Sequence, residues 1–206
     1  MVRVVKKATE RKLELVNAAH YLFQSKGYDK TTMQDVMEFL GIAKGTIYHY
    51  FKSKEELLDA VVEALVDENI EQMQTAVKGM RGNALEKVQM LIAAGNIAAS
   101  HDAILEHLHQ PGNTGMHIRL LAAALVKQAP LYAELIRQGC EEGLFHTDTP
   151  LECAEFILSA LQFLTDMGVY PWTQEQLMRR AQAFPALIEA QLKAAPGSFQ
   201  FMLNQM

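Results

Sequence analysis

Cysteine is scarce: Cys140 and Cys153 are the only two in 206 residues. So small a number, with no secretion signal ahead of it, excludes a disulfide-stapled fold and predicts reduced thiols in a cytoplasmic protein. Long apolar runs are absent too. The longest, "LLAAALV" from Leu120 to Val126, falls well below the ~18 residues a bilayer span needs, so no membrane partner is expected. The first residues, "MVRVVKKATERK", carry bases without an apolar stretch behind them and do not read as a signal peptide. Strand-type alternation, internal repeats and low-complexity segments are missing as well.

Catalytic patterns are equally lacking. "QPGNTG" contains glycines but follows no strand and lacks the Lys-Ser/Thr ending of a phosphate loop. No nucleophile–base pair or carboxylate pair stands at a defined spacing, so an enzyme is not expected and neither is a cofactor. His101, His107, His109 and His117 have no cysteine among them and no i, i+4 pair, which argues against a metal site. Neither cysteine has a neighbouring base in sequence to lower its pKa, so ordinary burial is expected for both.

What is present is an ordinary globular composition, 50% hydrophobic and 21% charged, with an uneven charge distribution. Residues 1–54 hold ten Lys/Arg against five acids, leaving nine bases against 19 acids in residues 55–206. The first segment is therefore +5 and the second −10, the pattern of a basic head that meets a polyanion and an acidic body that does not.

Almost every segment has helical periodicity, and the expected fold is all-α with about nine helices. Leu15, Ala19, Leu22 and Phe23 lie on one face of a helix from Ala8 to Lys26, ended by Gly27. Thr32 and Asp35 form a capping box for a second, short helix that Gly41 breaks. A third covers Lys44 to Tyr50, and Ser53 with Glu56 starts a fourth running to about Val77. Further helices are expected at 84–100, 102–109, 116–137, 150–167 and 173–193, with Pro150 and Thr173 at favourable starts.

Two short helices joined by a tight glycine turn, inside a three-helix bundle, describe a helix-turn-helix whose last helix enters the DNA major groove. Ile42, Ile47, Tyr50 and Phe51 would hold that helix to its bundle. Lys44, Gly45, Thr46, Tyr48 and His49 are left for DNA, joined by Thr31 and Thr32 at the second helix and Lys54 at the fourth. Gly45 would let the backbone approach closely, Thr46 offers a hydroxyl and a methyl to base edges, and the others donate to phosphates.

"GYDKTTMQDVMEFLGIAKGTIYHYFKSKEELL" resembles the N-terminal DNA-binding domain of the TetR family of bacterial transcriptional regulators, and the likeness is specific from about Leu15 to Leu58. Ala43 departs from it, standing where the motif commonly has a serine that caps the recognition helix. The resemblance implies a helix-turn-helix domain over 1–54 and a helical effector-binding and dimerisation domain over 55–206. It implies a homodimeric repressor, bound to double-stranded operator DNA and released by a small, partly apolar effector. An activator or a non-sensing DNA binder of the same fold fits the same residues. The last two long helices would form the dimer interface, through Ala154, Ile157, Leu158, Leu161 and Leu164 and through Leu177, Phe184, Leu187 and Ile188. The central helices would hold the effector near Met90, Asn96, Met116, His117, Phe163, Met167 and Trp172. Their many small residues, such as Ala93, Ala94 and Gly95, are compatible either with a chamber or with close helix packing.

Overall fold

Eight α-helices and one 3-10 turn, with no strand, make up the described residues of this computed structural model, which are 8–100, 114–166 and 169–204. Of the side chains, those of 96–100, 114, 116 and 204 fall outside that description. The helices are α1 (Ala8–Lys26), α2 (Met33–Leu40), α3 (Lys44–Tyr50), α4 (Lys54–Val77), α5 (Ala84–Ser100), α6 (Thr114–Glu141), α7 (Pro150–Leu164) and α8 (Gln174–Leu192). A 3-10 turn, Gln200–Asn204, follows. The helix expected at 102–109, with His101, His107 and His109, lies outside the described residues.

Local chemistry accounts for most helix ends. Thr32 caps α2 by a full capping box with Asp35, and Thr173 caps α8 in the same way with Gln176. At the start of α5 the Asn83 N–H donates to the Glu86 carboxylate and the Glu86 N–H to the Asn83 side-chain oxygen, while the Ala84 N–H donates to the Glu142 carboxylate at 2.8 Å. Ser53 accepts the Glu56 N–H at 3.2 Å, as expected. The Glu56 carboxylate, however, takes the Lys52 N–H at 2.6 Å, so the expected box closes one residue early. α6 runs past the expected Arg137 to Glu141, because Gly139 continues the helix and the stop comes at Gly143, with φ +73°. Gly139 has no Cβ for a reason: one would collide with the ring of Phe145, which is fully buried against it. α7 stops at Leu164, short of Met167. The Thr165 hydroxyl donates back to the Leu161 carbonyl, and Asp166 accepts from Val169 N–H to form a turn.

The chain folds into two compact units, residues 1–66 with 103–120 and residues 67–102 with 121–206. In the first, Leu15, Ala19, Leu22 and Phe23 of α1 are buried, as are Val36, Met37, Ile47 and Phe51. Leu57, Leu58, Val61 and Val62 of α4 are buried as well, which is why compactness carries this unit beyond residue 54. Each such side chain contributes roughly 1.5–3 kcal/mol on leaving water. Arg119 adds an ion pair with Asp59.

The second unit buries Met73, Leu91, Ile136, Phe145, Leu158, Phe184, Ile188 and Leu192 in one cluster. At Gly95 a Cβ would stand 3.7 Å from the Met73 sulfur, an ordinary contact, so the packing there does not demand a glycine. The C-terminal turn closes the same core: Phe199 stacks on Phe145 at 5.8 Å, Met202 is buried, and the Phe199 N–H donates to the buried Glu189 carboxylate at 3.0 Å.

Candidate nucleic-acid interface

α3 is seven residues long, and the burial of Ile47 (0% exposed) fixes which way it faces. With Ile47 inward, Lys44, Gly45 and His49 are exposed and Thr46 and Tyr48 are half-exposed, so five of the eight expected DNA residues share one outer surface. The Lys44 ammonium lies 5.6 Å from the Tyr48 ring centre, the i, i+4 pairing of a basic group with an aromatic face. Apart from the backbone of its own helix and its chain neighbours, nothing lies within 4 Å of the position a Cβ on Gly45 would take. The turn that presents α3 is set by Gly41, in the left-handed region with φ +61°. Its N–H and that of Ile42 close α2 on the Glu38 and Met37 carbonyls. Ala43 stands at the cap of α3 in extended conformation with no side-chain cap, as its missing oxygen requires.

α2 is anchored by charge. Asp35 accepts from the Lys26 ammonium at 2.6 Å and from the hydroxyl and N–H of Thr32, each at 2.7 Å. The Lys26 bond first, then those from Thr32, hold its carboxyl well below the usual range. Thr32 stays exposed at the head of the helix.

Thr31 is corrected. It is fully buried, and its hydroxyl donates towards the Gly27 carbonyl at 2.8 Å and the Leu22 carbonyl at 3.2 Å. It ties the end of α1 to the start of α2 and has nothing left for DNA. Lys54 is also committed more than its sequence context suggests. Its ammonium donates to the Tyr28 carbonyl at 2.9 Å and lies 4.1 Å from the centre of the Tyr28 ring. Burial and then the Glu55 carboxylate push the Tyr28 phenol up. Lys54 is thus a clamp between the α1–α2 loop and α4 that also carries charge. Sequence reasoning missed Tyr28 and Lys26 as parts of this framework; the signal was their spacing from Lys54 and Asp35, legible only once the fold brings them together.

The proposed dimer residues divide. Ala154, Leu158, Phe184 and Ile188 are buried in the core of their own unit, because those stripes of α7 and α8 complete the intrachain packing. Leu164 and Leu187 are exposed, and Ile157, Leu161 and Leu177 are half-buried. Phe156 (64% exposed), Met178 (50%) and Leu151 (40%) join Leu164 and Leu187 as apolar side chains facing outward. The effector residues divide too. Met90 is exposed, since Val88 and Leu91 take the inner face of α5. His117 is buried, but within the unit that holds the helix-turn-helix rather than in the second. Phe163 and Trp172 are half-buried, the indole lying between Tyr170 and the Arg180 guanidinium. The Asn96 and Met116 side chains and Met167 lie outside the described residues.

Among the described residues no three His, Cys, Asp or Glu side chains gather as a metal site, and no helix is long and apolar enough to cross a membrane.

Comparison with known proteins agrees with this geometry. Residues 15–61 match the model of the bacterial regulatory proteins of the tetR family, and residues 96–187 match a tetracyclin repressor-like C-terminal domain. The HTH-type transcriptional regulator YfiR of Bacillus subtilis is 35% identical over 177 residues, covering 78% of this chain and 81% of that protein. The HTH-type transcriptional repressor KstR2 of Mycobacterium tuberculosis is 27% identical over 156 residues, covering 74% and 78%. The solved structure of the fatty acid degradation regulator FadR from Bacillus halodurans shares the fold, with a TM-score of 0.63 over 96% of this chain and 97% of that one at 21% identity. The chain belongs to the TetR family, whose members are DNA-binding transcriptional regulators and not enzymes.

Proposed function

We propose that this regulator is a homodimeric cytoplasmic repressor that leaves its operator when a small, partly apolar molecule binds. The observation that carries this reading is the outer face of α3, where Lys44, Gly45, Thr46, Tyr48 and His49 are presented by one buried anchor, Ile47. Residues 1–54 act as the DNA-reading head and 55–206 as the effector-binding and dimerising body. One head would bind weakly and with little selectivity, because phosphate contacts dominate and half a site carries little information. Two heads on a symmetric dimer fix their spacing to the DNA helical repeat. The exposed apolar side chains Phe156, Leu164, Met178 and Leu187 support a partner on α7 and α8. The apolar core of the second unit, and the name of FadR as a regulator of fatty acid degradation, support an effector of apolar character.

Release follows from population shift. An effector that binds better to one conformation of the body favours it, and α4, whose residues belong to both units, carries the change to the heads. The test is duplex-DNA binding by fluorescence anisotropy across a salt series. Wild-type affinity should fall linearly with log salt, and Lys44→Ala should flatten the slope by about one. Unchanged affinity in Tyr48→Ala would show that α3 docks in another orientation.

A further inference from the structure

A chain of side-chain amides runs through the second unit. Gln128 on α6 donates from Nε2 to Asn69 Oδ1 on α4 at 3.2 Å, and Gln162 on α7 donates from Nε2 to Gln128 Oε1 at 3.3 Å. Each acceptor is filled by the next amide until the last. Gln162 Oε1 is buried and has no hydrogen-bond partner among the described residues. A buried acceptor left empty is a cost that native interiors seldom carry without something to donate to it. Tyr132 stands one turn after Gln128 on the same face of α6, and burial alone pushes its phenol up. The same unit has an apolar core, with Ile70, Ile92, Leu125 and Leu161 packed against it. The neighbouring Lys127 and Asp67 are paired with each other, so the amide chain itself holds no charge.

We propose that Gln162 is the polar end of the effector site and that it takes a neutral hydroxyl group carried on an apolar body. This rests on the effector-responsive reading above and names the class of ligand. The set of three amides can also be turned over as a whole, exchanging oxygen and nitrogen, which would leave Gln162 with a free N–H instead. A hydroxyl both donates and accepts, and so satisfies either setting; an ether only accepts, so a preference for an alcohol over its ether reports the setting in which the Gln162 oxygen is the empty group. A carboxylate would satisfy only the second, and would be buried there without a cation. A hydrocarbon would leave the amide empty. Because the chain ends on Asn69, filling Gln162 fixes a network that ties α6 and α7 to α4, giving the bound hydroxyl a route to the helix that begins at Lys54.

The test uses the full-length protein and the straight-chain alcohols from 1-hexanol to 1-tetradecanol, each beside its methyl ether and its matching carboxylate. Binding is followed by the fluorescence of Trp172, the single tryptophan, and by calorimetry. At least one alcohol should bind saturably and about tenfold or more tighter than its ether and its carboxylate. Gln162→Leu should erase that preference for the alcohol while still binding duplex DNA. Saturable binding by no alcohol, equal binding of alcohol and ether, or an alcohol preference surviving in Gln162→Leu would each overturn the inference; the second is the result expected if a water fills the acceptor. Duplex-DNA binding by the unliganded protein separates the two levels. If DNA is bound and the alcohols are inert, the hydroxyl site fails alone; if no DNA is bound, the regulatory reading fails.

Discussion

Gly45 gives the sharpest prediction, because the fold and the interface make opposite demands on it. It lies in the first turn of α3, is exposed, and has open space where a Cβ would go. Its backbone is helical, so Gly45→Ala loses no favourable conformation and gains helix propensity of about 0.5–1 kcal/mol. For a protein of 206 residues this raises Tm by roughly 1–4 °C. DNA affinity should move the other way. If the bare backbone at 45 lies against a base edge or a phosphate, the added methyl displaces a contact worth about 1–3 kcal/mol, or roughly 5- to 150-fold in Kd. Gly45→Leu should be stabilised nearly as much, and be weaker still on DNA. Thermal unfolding and anisotropy on the same preparations read both quantities. A Gly45→Ala protein that is stabilised and binds DNA as wild type does would refute the placement of this face against DNA.

Thr31→Val keeps the shape of the side chain and leaves the Leu22 and Gly27 carbonyls without their shared donor. It should cost about 1–3 kcal/mol in denaturant unfolding with no change in the DNA affinity of the folded protein. Phe156→Asp with Leu187→Asp charges the outward apolar surface of α7 and α8, and sedimentation should then report a folded monomer; a persisting dimer would place the interface elsewhere. Asp35 has a depressed folded-state pKa, so its contribution is present above the ordinary carboxylate range and lost as pH falls through the folded value. Asp35→Ala should therefore lower Tm at pH 7, and the deficit should close on acidification below about pH 4.

The elements most legible in the sequence were those decided by neighbours in the chain. α1, α3, α4 and α5 run between the residues the periodicity predicts, the box at Thr32 needs only a residue and its third successor, and Thr173 stands at the helix start expected of it. Features decided by distant residues were not legible. The helix expected to end at Arg137 runs on through Gly139, which must lack a side chain because the buried ring of Phe145 lies against it. The last residues carry no helical period, yet Phe199 and Met202 complete the core through Phe145 and Glu189. At the DNA surface, α3 was readable because Ile47 alone sets its facing. Thr31 was not, since only the packed turn shows that its hydroxyl is consumed by α1. On α7 apolar residues stand on nearly opposite faces, Leu158 inside and Phe156 outside, so an apolar pattern without a partner could not separate intrachain core from dimer surface.

The most direct test of the account is the selection of duplexes from a randomised DNA pool by the wild-type protein and by Thr46→Ala, followed by sequencing. The wild type should enrich one inverted repeat, and Thr46→Ala should change the preferred base at symmetric positions of both halves. Enrichment of no sequence, or an identical inverted repeat from both proteins, would contradict it.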